Sequence, residues 1–174
     1  MKNDTNSEID KLIFESGKCK PSTVTFKAIV DEIMEKLYQS TAIYTVLSAS
    51  KAEMSTMTSI PFVSTKDRYP ALYLFTSPDK ALAWCHYYNH FYNKRALIAK
   101  MEKEDQDFRQ LFPIAIQMGV EMIMLNEGGA WINLSLKDFV KKNNISMSIY
   151  SKDQADNLLG EKGIELELPH FNIL

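Results

Sequence analysis

The chain has 174 residues, of which 45% are hydrophobic and 24% charged, a composition typical of one compact domain that can bury a core. Its 20 Lys and Arg against 22 Asp and Glu give a formal charge of -2. Bulk charge therefore does not draw the chain toward nucleic acid or a membrane surface. The start lacks the basic and apolar pattern of a secretory signal, and no apolar run is long enough to cross a bilayer. We expect a cytoplasmic protein with neither a nucleic-acid nor a membrane partner.

Two segments divide the chain. Residues 1–22 are polar and are predicted to be a loosely attached N-terminal arm, in which 8–15 can form a short amphipathic helix. Residues 23–174 are predicted to form a single domain. Cys19 and Cys85 lie in different kinds of segment, so we expect free thiols, with Cys85 buried.

Strands and helices interleave in the domain. Apolar residues at helical spacing predict a helix over 24–38, and further helices begin at Pro78, near 106 and at 136. Because at least one hairpin is expected, the sheet should be mixed, which makes the fold α/β (α+β). The predicted strands are 41–49, 60–65, 71–75, 96–101, 120–125 and 130–134, and the tail 145–174 adds strands at 145–150 and 164–168 around a helix at 153–159.

The stretch YPALYLFTSPDKALAWC, residues 69–85, predicts a strand that runs directly into a capped helix. Ser77 or the residue before it can cap the helix, Pro78 suits the first helical position, and Asp79 complements the helix dipole. Turns of this kind often carry a ligand. Ser77, Asp79 and Asn126 are the candidate residues for a small ligand, although a hairpin is the favoured interpretation of the turn at 126–129.

Two stretches have a recognisable order of elements, FTSPDKALAWC and LFPIAIQMGVEMIMLNEGGAWINLSLKDFV. They resemble signatures of the SseB N-terminal-domain family, named for enhanced serine sensitivity, and the resemblance covers about residues 38–144, leaving 145–174 as a C-terminal extension. It implies a fold but no catalytic residues, because the family has no established reaction to carry over. The family commonly has Pro where this chain has Glu127. The matching positions are Phe75, Thr76, Ser77, Gly119, Asn126 and Gly128.

A metal site is the sharpest chemical alternative. His86 and His90 are four residues apart on the predicted helix, a spacing that can hold one metal ion. The stretch HYYNH lacks the Glu that serves as general base in metalloproteases, so ordinary polar helix residues are the favoured interpretation. We therefore expect no cofactor.

The stretch YYNHFYNKR, residues 87–95, is the unusual feature of the chain. If alternate aromatic residues continue the core stripe, Tyr87 and Phe91 lie on a second face near Lys94 and Arg95. Burial under another segment, a protein interface and stacking of single-stranded bases are the three interpretations. The sequence favours a non-enzymatic protein-interaction module that binds a protein partner or itself through this helix or a sheet edge. A small-molecule-binding or metal-dependent enzyme using residues 75–90 is the alternative.

Overall fold

The computed structural model describes residues 5–49, 60–61, 63–66, 69–87, 95–103, 106–117 and 119–145. Over these ranges helices and strands alternate around one sheet, as predicted. The helices are α1 (Thr5–Ser16), α2 (Val24–Gln39), α3 (Pro78–Tyr87), α4 (Gln106–Gln117) and α5 (Leu136–Lys142). The strands are β1 (Ala42–Ala49), β2 (Ile60–Pro61), β3 (Val63–Lys66), β4 (Tyr69–Phe75), β5 (Arg95–Glu102), β6 (Met122–Leu125) and β7 (Ile132–Ser135).

The sheet is mixed, which confirms the predicted α/β fold. Along one edge β1 pairs with β5 over its whole length, antiparallel. Along its other edge β1 pairs with the end of β4 and then with β2, while β3 pairs with the start of β4. Strands β4 and β6 are parallel neighbours, and β7 pairs back onto β6 as an antiparallel hairpin. The parallel pair is the only one among the described strands, and it brings the carboxyl ends of β4 and β6 together.

Each face of the sheet carries its own hydrophobic cluster. Alternate residues of a strand point to opposite faces, so Leu72 and Leu74 pack with α1, α2, α4 and α5, whereas Tyr73 and Phe75 pack with α3. Trp84 of α3 lies 4.8 Å from the Tyr73 ring, centroid to centroid. Among the elements that the structure describes, four helices therefore cover one face and α3 covers the other.

Helix ends follow local sequence signals. Thr23 and Ser135 cap α2 and α5, since each hydroxyl accepts the backbone N–H three residues further on. Gly119 after α4 and Asn144 after α5 have φ of 80° and 49°, and both helices end with the paired backbone bonds of a Schellman motif. Pro113 lies inside α4, which continues through it.

The N-terminal arm differs from the loose attachment predicted from its polarity. Ile9 and Ile13 of α1 are 0% and 2% exposed, and they belong to the core shared with α2. Lys36 of α2 donates to Glu8 at 2.8 Å, and this hydrogen bond raises the pKa of Lys36. The prediction was wrong because it was based on the overall polarity of the arm. A narrow apolar stripe is enough to hold the helix on the core when polar residues on the same face also form hydrogen bonds with buried partners.

Several predicted segments lie outside the described residues. They include the strand, helix and strand predicted beyond Ile145. In the part of the chain that the structure describes, no helix is sufficiently long and apolar to traverse a bilayer.

Substitution of Ile9 tests whether α1 is part of the core. We expect Ile9→Ala to lower the free energy of unfolding by about 2–5 kcal/mol, because it leaves a cavity under a fully buried side chain. Phe14→Ala on the same helix is the matched control, since Phe14 is 62% exposed and its loss should cost about 0.5 kcal/mol or less. Urea unfolding measures both, and equal effects would contradict the integral position of α1.

Candidate functional site

The carboxyl ends of β4 and β6 are where an open α/β sheet commonly binds a ligand. Thr76 directly follows β4 and Asn126 directly follows β6. Both are 3% exposed. Their polar atoms therefore need partners at a place where the ladder of strand hydrogen bonds has ended.

Asn126 supplies most of these partners. Its backbone N–H donates to the carbonyl of Leu74 at 2.9 Å, and its Oδ1 accepts the backbone N–H of Thr76 at 2.9 Å. Its φ is 61°, in the left-handed region that Asn adopts more readily than most residues. The residue thus joins the ends of the two parallel strands through backbone and side chain together.

A carboxylate from α1 completes the arrangement. Asp10 Oδ1 accepts from Asn126 Nδ2 at 2.9 Å and from Thr76 Oγ1 at 2.8 Å. Lys80 Nζ lies 2.5 Å from Asp10 Oδ2 and donates to Thr76 Oγ1 at 2.7 Å. The hydroxyl oxygen of Thr76 accepts from Lys80, so this bond does not use the single hydroxyl hydrogen. That hydrogen can be donated to Asp10, the nearer acceptor.

Asn6, one turn before Asp10 on α1, forms hydrogen bonds at the neighbouring strand ends. Its Nδ2 donates to the carbonyls of Ala42 at 3.1 Å and Thr76 at 2.9 Å. Its Oδ1 accepts from the hydroxyl of Ser40 at 2.6 Å. We call Asn6, Asp10, Thr76, Lys80 and Asn126 the Asn126 cluster.

The structure places the three candidate ligand residues in different environments. Ser77 is half-buried and its Oγ accepts the backbone N–H of Lys80 at 3.3 Å, so it caps α3 as predicted. Asp79 is exposed in the first turn of α3. Asn126 is directed into the cluster and bonds to groups of the protein itself. The three residues do not share one set of contacts.

The turn after Asn126 is packed against α3. Glu127 is 6% exposed, and its Oε2 accepts from the indole Nε1 of Trp84 at 3.0 Å. Gly128 has a φ of 97°, and a Cβ built on it would lie 3.7 Å from Cδ1 of Trp84. Glu127 thus connects this turn to α3 through the side chain of Trp84.

The outer face of α3 carries exposed apolar side chains in its last two turns, after the exposed Asp79 of the first turn. Leu82 and Tyr87 are 42% and 77% exposed, and Ala83 and His86 are exposed beside them. Residues 81–87 contain no Lys, Arg, Asp or Glu. The solvent face of a globular protein's helix normally carries such residues.

The predicted aromatic surface is described only in part. Tyr87 is exposed, as the prediction of a second face requires. Phe91 and Lys94 lie outside the described residues, and Arg95 starts β5 with its side chain outside them. That surface therefore stays a prediction beyond Tyr87.

The predicted metal pair is likewise described only at one end. His86 is exposed on α3, and His90 lies outside the described residues. Among the residues that the structure describes, no three His, Cys, Asp or Glu side chains come close enough to hold a metal ion.

Cys85 lies on the inner face of α3. It is 0% exposed in the cluster with Trp84 and Phe75, as predicted. Burial raises the pKa of its thiol to about 11. The thiolate that a nucleophilic cysteine requires is therefore disfavoured at neutral pH.

Sequence reasoning missed the α1 half of the Asn126 cluster. The signal was present, because Asn6, Ile9, Asp10 and Ile13 fall at i, i+3, i+4 and i+7 on one helix face. Two polar residues in an apolar stripe indicate buried hydrogen bonds as well as a narrow stripe.

No protein-family model matches the sequence, and no curated protein matches it.

Substitution of Asn126 separates its two roles. Asn126→Gly should destabilise the protein by about 1–3 kcal/mol, because the buried N–H of Thr76 loses its acceptor. Asn126→Ala should cost about 1 kcal/mol more, since Ala is strained at a φ of 61°. Urea unfolding measures both free energies, with Asn133→Ala on the exposed face of β7 as the control. Equal stability of Asn126→Ala and the wild type would contradict the bridging role.

Titration of Cys85 provides a pH-dependent test. Burial raises the pKa of its thiol from about 9 to about 11. As the pH rises between these values the unfolded chain loses the thiol proton first, so the contribution of the buried thiol to the free energy of unfolding falls. We expect iodoacetamide at pH 8 to modify Cys19 in the folded protein and Cys85 only after denaturation. Between pH 9 and 11 the free energy of unfolding of the wild type should therefore fall relative to that of Cys85→Ala. Equal alkylation rates of both thiols in the folded state would refute this.

Proposed function

We propose that this chain is a non-enzymatic protein-interaction module, related to the SseB N-terminal domain, that binds a partner protein through the outer face of α3. The observation that carries the proposal is the 77% exposure of Tyr87 at the end of residues 81–87, a helical stretch without Lys, Arg, Asp or Glu. Leu82, one and a half turns earlier, adds a second exposed apolar side chain.

The chemistry of this surface defines the partner. Tyr and Arg are enriched among residues that dominate binding energy, because they combine large contact area with polar groups. Lys94 and Arg95 follow Tyr87 closely in the sequence and bring positive charge. The fitting partner is a protein surface with an apolar recess bordered by carboxylates, which matches the apolar and basic parts together.

The inner face of α3 supports this role by fixing the helix. Trp84 packs on Tyr73 and Phe75 and donates to Glu127, and Cys85 is fully buried beside it. A surface held on a rigid element loses little conformational entropy when it binds. The exposed side chains are thus presented in a defined arrangement before the partner arrives.

The contacts at the strand ends favour this function over the alternative enzyme. Ser77 caps α3, and the side-chain amide of Asn126 bonds to Thr76 and Asp10. Groups committed to internal hydrogen bonds must break them before they can bind a substrate, which costs free energy.

Replacement of Tyr87 tests the proposal. We expect Tyr87→Ala to raise the Kd for the partner by about 30-fold or more while the fold is kept, since truncation of a central aromatic side chain costs about 2 kcal/mol or more of binding. The measurement has two steps: native mass spectrometry of untagged complexes purified from the protein's own cells, then calorimetry with the identified partner.

Phe14→Ala is the matched control, because it removes an exposed aromatic side chain from α1 on the other face of the sheet. It should leave the Kd unchanged. A partner that binds Tyr87→Ala and the wild type equally would refute the α3 surface. A dimer of this chain that Tyr87→Ala dissociates would show that the recess belongs to a second copy.

A further inference from the structure

A shallow groove runs between α4 and α5, on the face of the sheet opposite to α3. Its floor is apolar, formed by Ile116, Val140 and Ile145. Lys137 and Lys141 line one side and are exposed. The groove has a volume of about 570 Å³, within the range typical of ligand-binding pockets.

The groove lies where the chain enters its C-terminal extension. Ile145, which lines the groove, is the last described residue, and 29 residues follow it. Among them the stretch IELEL, residues 164–168, alternates apolar and acidic side chains. A floor of apolar residues beside two lysines has the complementary pattern.

We propose that residues 164–168 of the same chain bind in this groove, with Ile164, Leu166 and Leu168 against its floor and Glu165 and Glu167 paired with Lys137 and Lys141. The occupant is thus a segment of the chain itself. This surface is distinct from the outer face of α3, so the inference stands independently of the proposed function.

The spacing of the charges supports this pairing. Residues four apart on a helix, such as Lys137 and Lys141, have Cβ atoms about 6 Å apart. Residues two apart in an extended segment, such as Glu165 and Glu167, are about 7 Å apart. Alternate side chains of an extended segment point to opposite faces, so both acidic side chains lie toward the open side of the groove, where the long, exposed lysine side chains can reach them at the same time.

The connection is long enough for binding within one chain. The 19 residue steps from Ile145 to Ile164 can span at most about 60 Å. A tethered segment also has an effective concentration of about 1 mM or less. A contact that is weak between separate molecules can thus form within one chain.

A spin label at position 170, just outside the proposed segment, tests the proposal on the full chain. In a Cys19→Ser background, His170→Cys supplies the one accessible thiol among positions 19, 85 and 170, because Cys85 is buried. We expect the attached nitroxide to reduce the methyl NMR signals of Ile116, Val140 and Ile145 by more than half, relative to the same chain with the label reduced. Equal signals in the two states would overturn the proposal.

Charge reversal tests the predicted pairs. Lys137→Glu with Lys141→Glu should restore the three methyl signals, and adding Glu165→Lys with Glu167→Lys should reduce them again. Lys142→Glu is the matched control, because Lys142 is exposed on α5 outside the groove lining. Broadening that survives reversal of both lysines would contradict the charge pairing.

A mixed sample identifies the molecule that supplies the segment. Isotope-labelled chains without a spin label are combined with unlabelled chains that carry the nitroxide. Unchanged methyl signals in this mixture, together with reduced signals in the doubly labelled chain, are the expected result. Signal loss in the mixture would show that a second copy provides the segment and would overturn binding within one chain.

Discussion

The side-chain amide of Asn126 forms hydrogen bonds with polar groups that have no hydrogen-bond partner within the sheet. Where β4 and β6 end, the N–H of Thr76 has no strand partner, and the amide oxygen of Asn126 accepts it at 2.9 Å. The amide nitrogen then donates to Asp10 of α1. One residue thereby joins two parallel strands and the N-terminal helix, and this bridge adds to the buried Ile9 and Ile13 in holding α1 on the core. Its left-handed backbone also sets the path of the chain into the next turn.

That turn connects the bridge to α3. Glu127 directly follows Asn126 and accepts from the indole of Trp84, while Gly128 beside the same ring adopts the positive φ of 97° that favours glycine. Trp84 in turn packs on Tyr73 and Phe75, the β4 residues that face α3. The two sides of the sheet are therefore held from a single turn: α1 through Asn126 and α3 through Glu127. A substitution at this turn is expected to affect both helices.

The parts of the fold that depend on local patterns were predictable from the sequence. The apolar run at β4, the Ser77 cap and the Schellman glycine at 119 use signals within a few residues, and the structure has all three. The Asn126 cluster depends on residues 116 positions apart, Asp10 and Asn126. No local pattern specifies such a pair, because either residue alone is also typical of an exposed helix or a turn. Likewise, the acceptor role of Glu127 could not be predicted from the sequence, because it requires knowing where Trp84 lies.

The ends of β4 and β6 are occupied by hydrogen bonds within the protein. In an open α/β sheet these ends commonly hold the ligand, but here Asn6 and Asp10 of α1 bond to them. The two proposed binding surfaces leave these hydrogen bonds intact: they are the outer face of α3 on one side of the sheet and the groove between α4 and α5 on the other. These surfaces share no residues and are separated by the buried sheet. Substitutions in one should therefore add to those in the other without coupling, because independent sites with no shared partners behave additively.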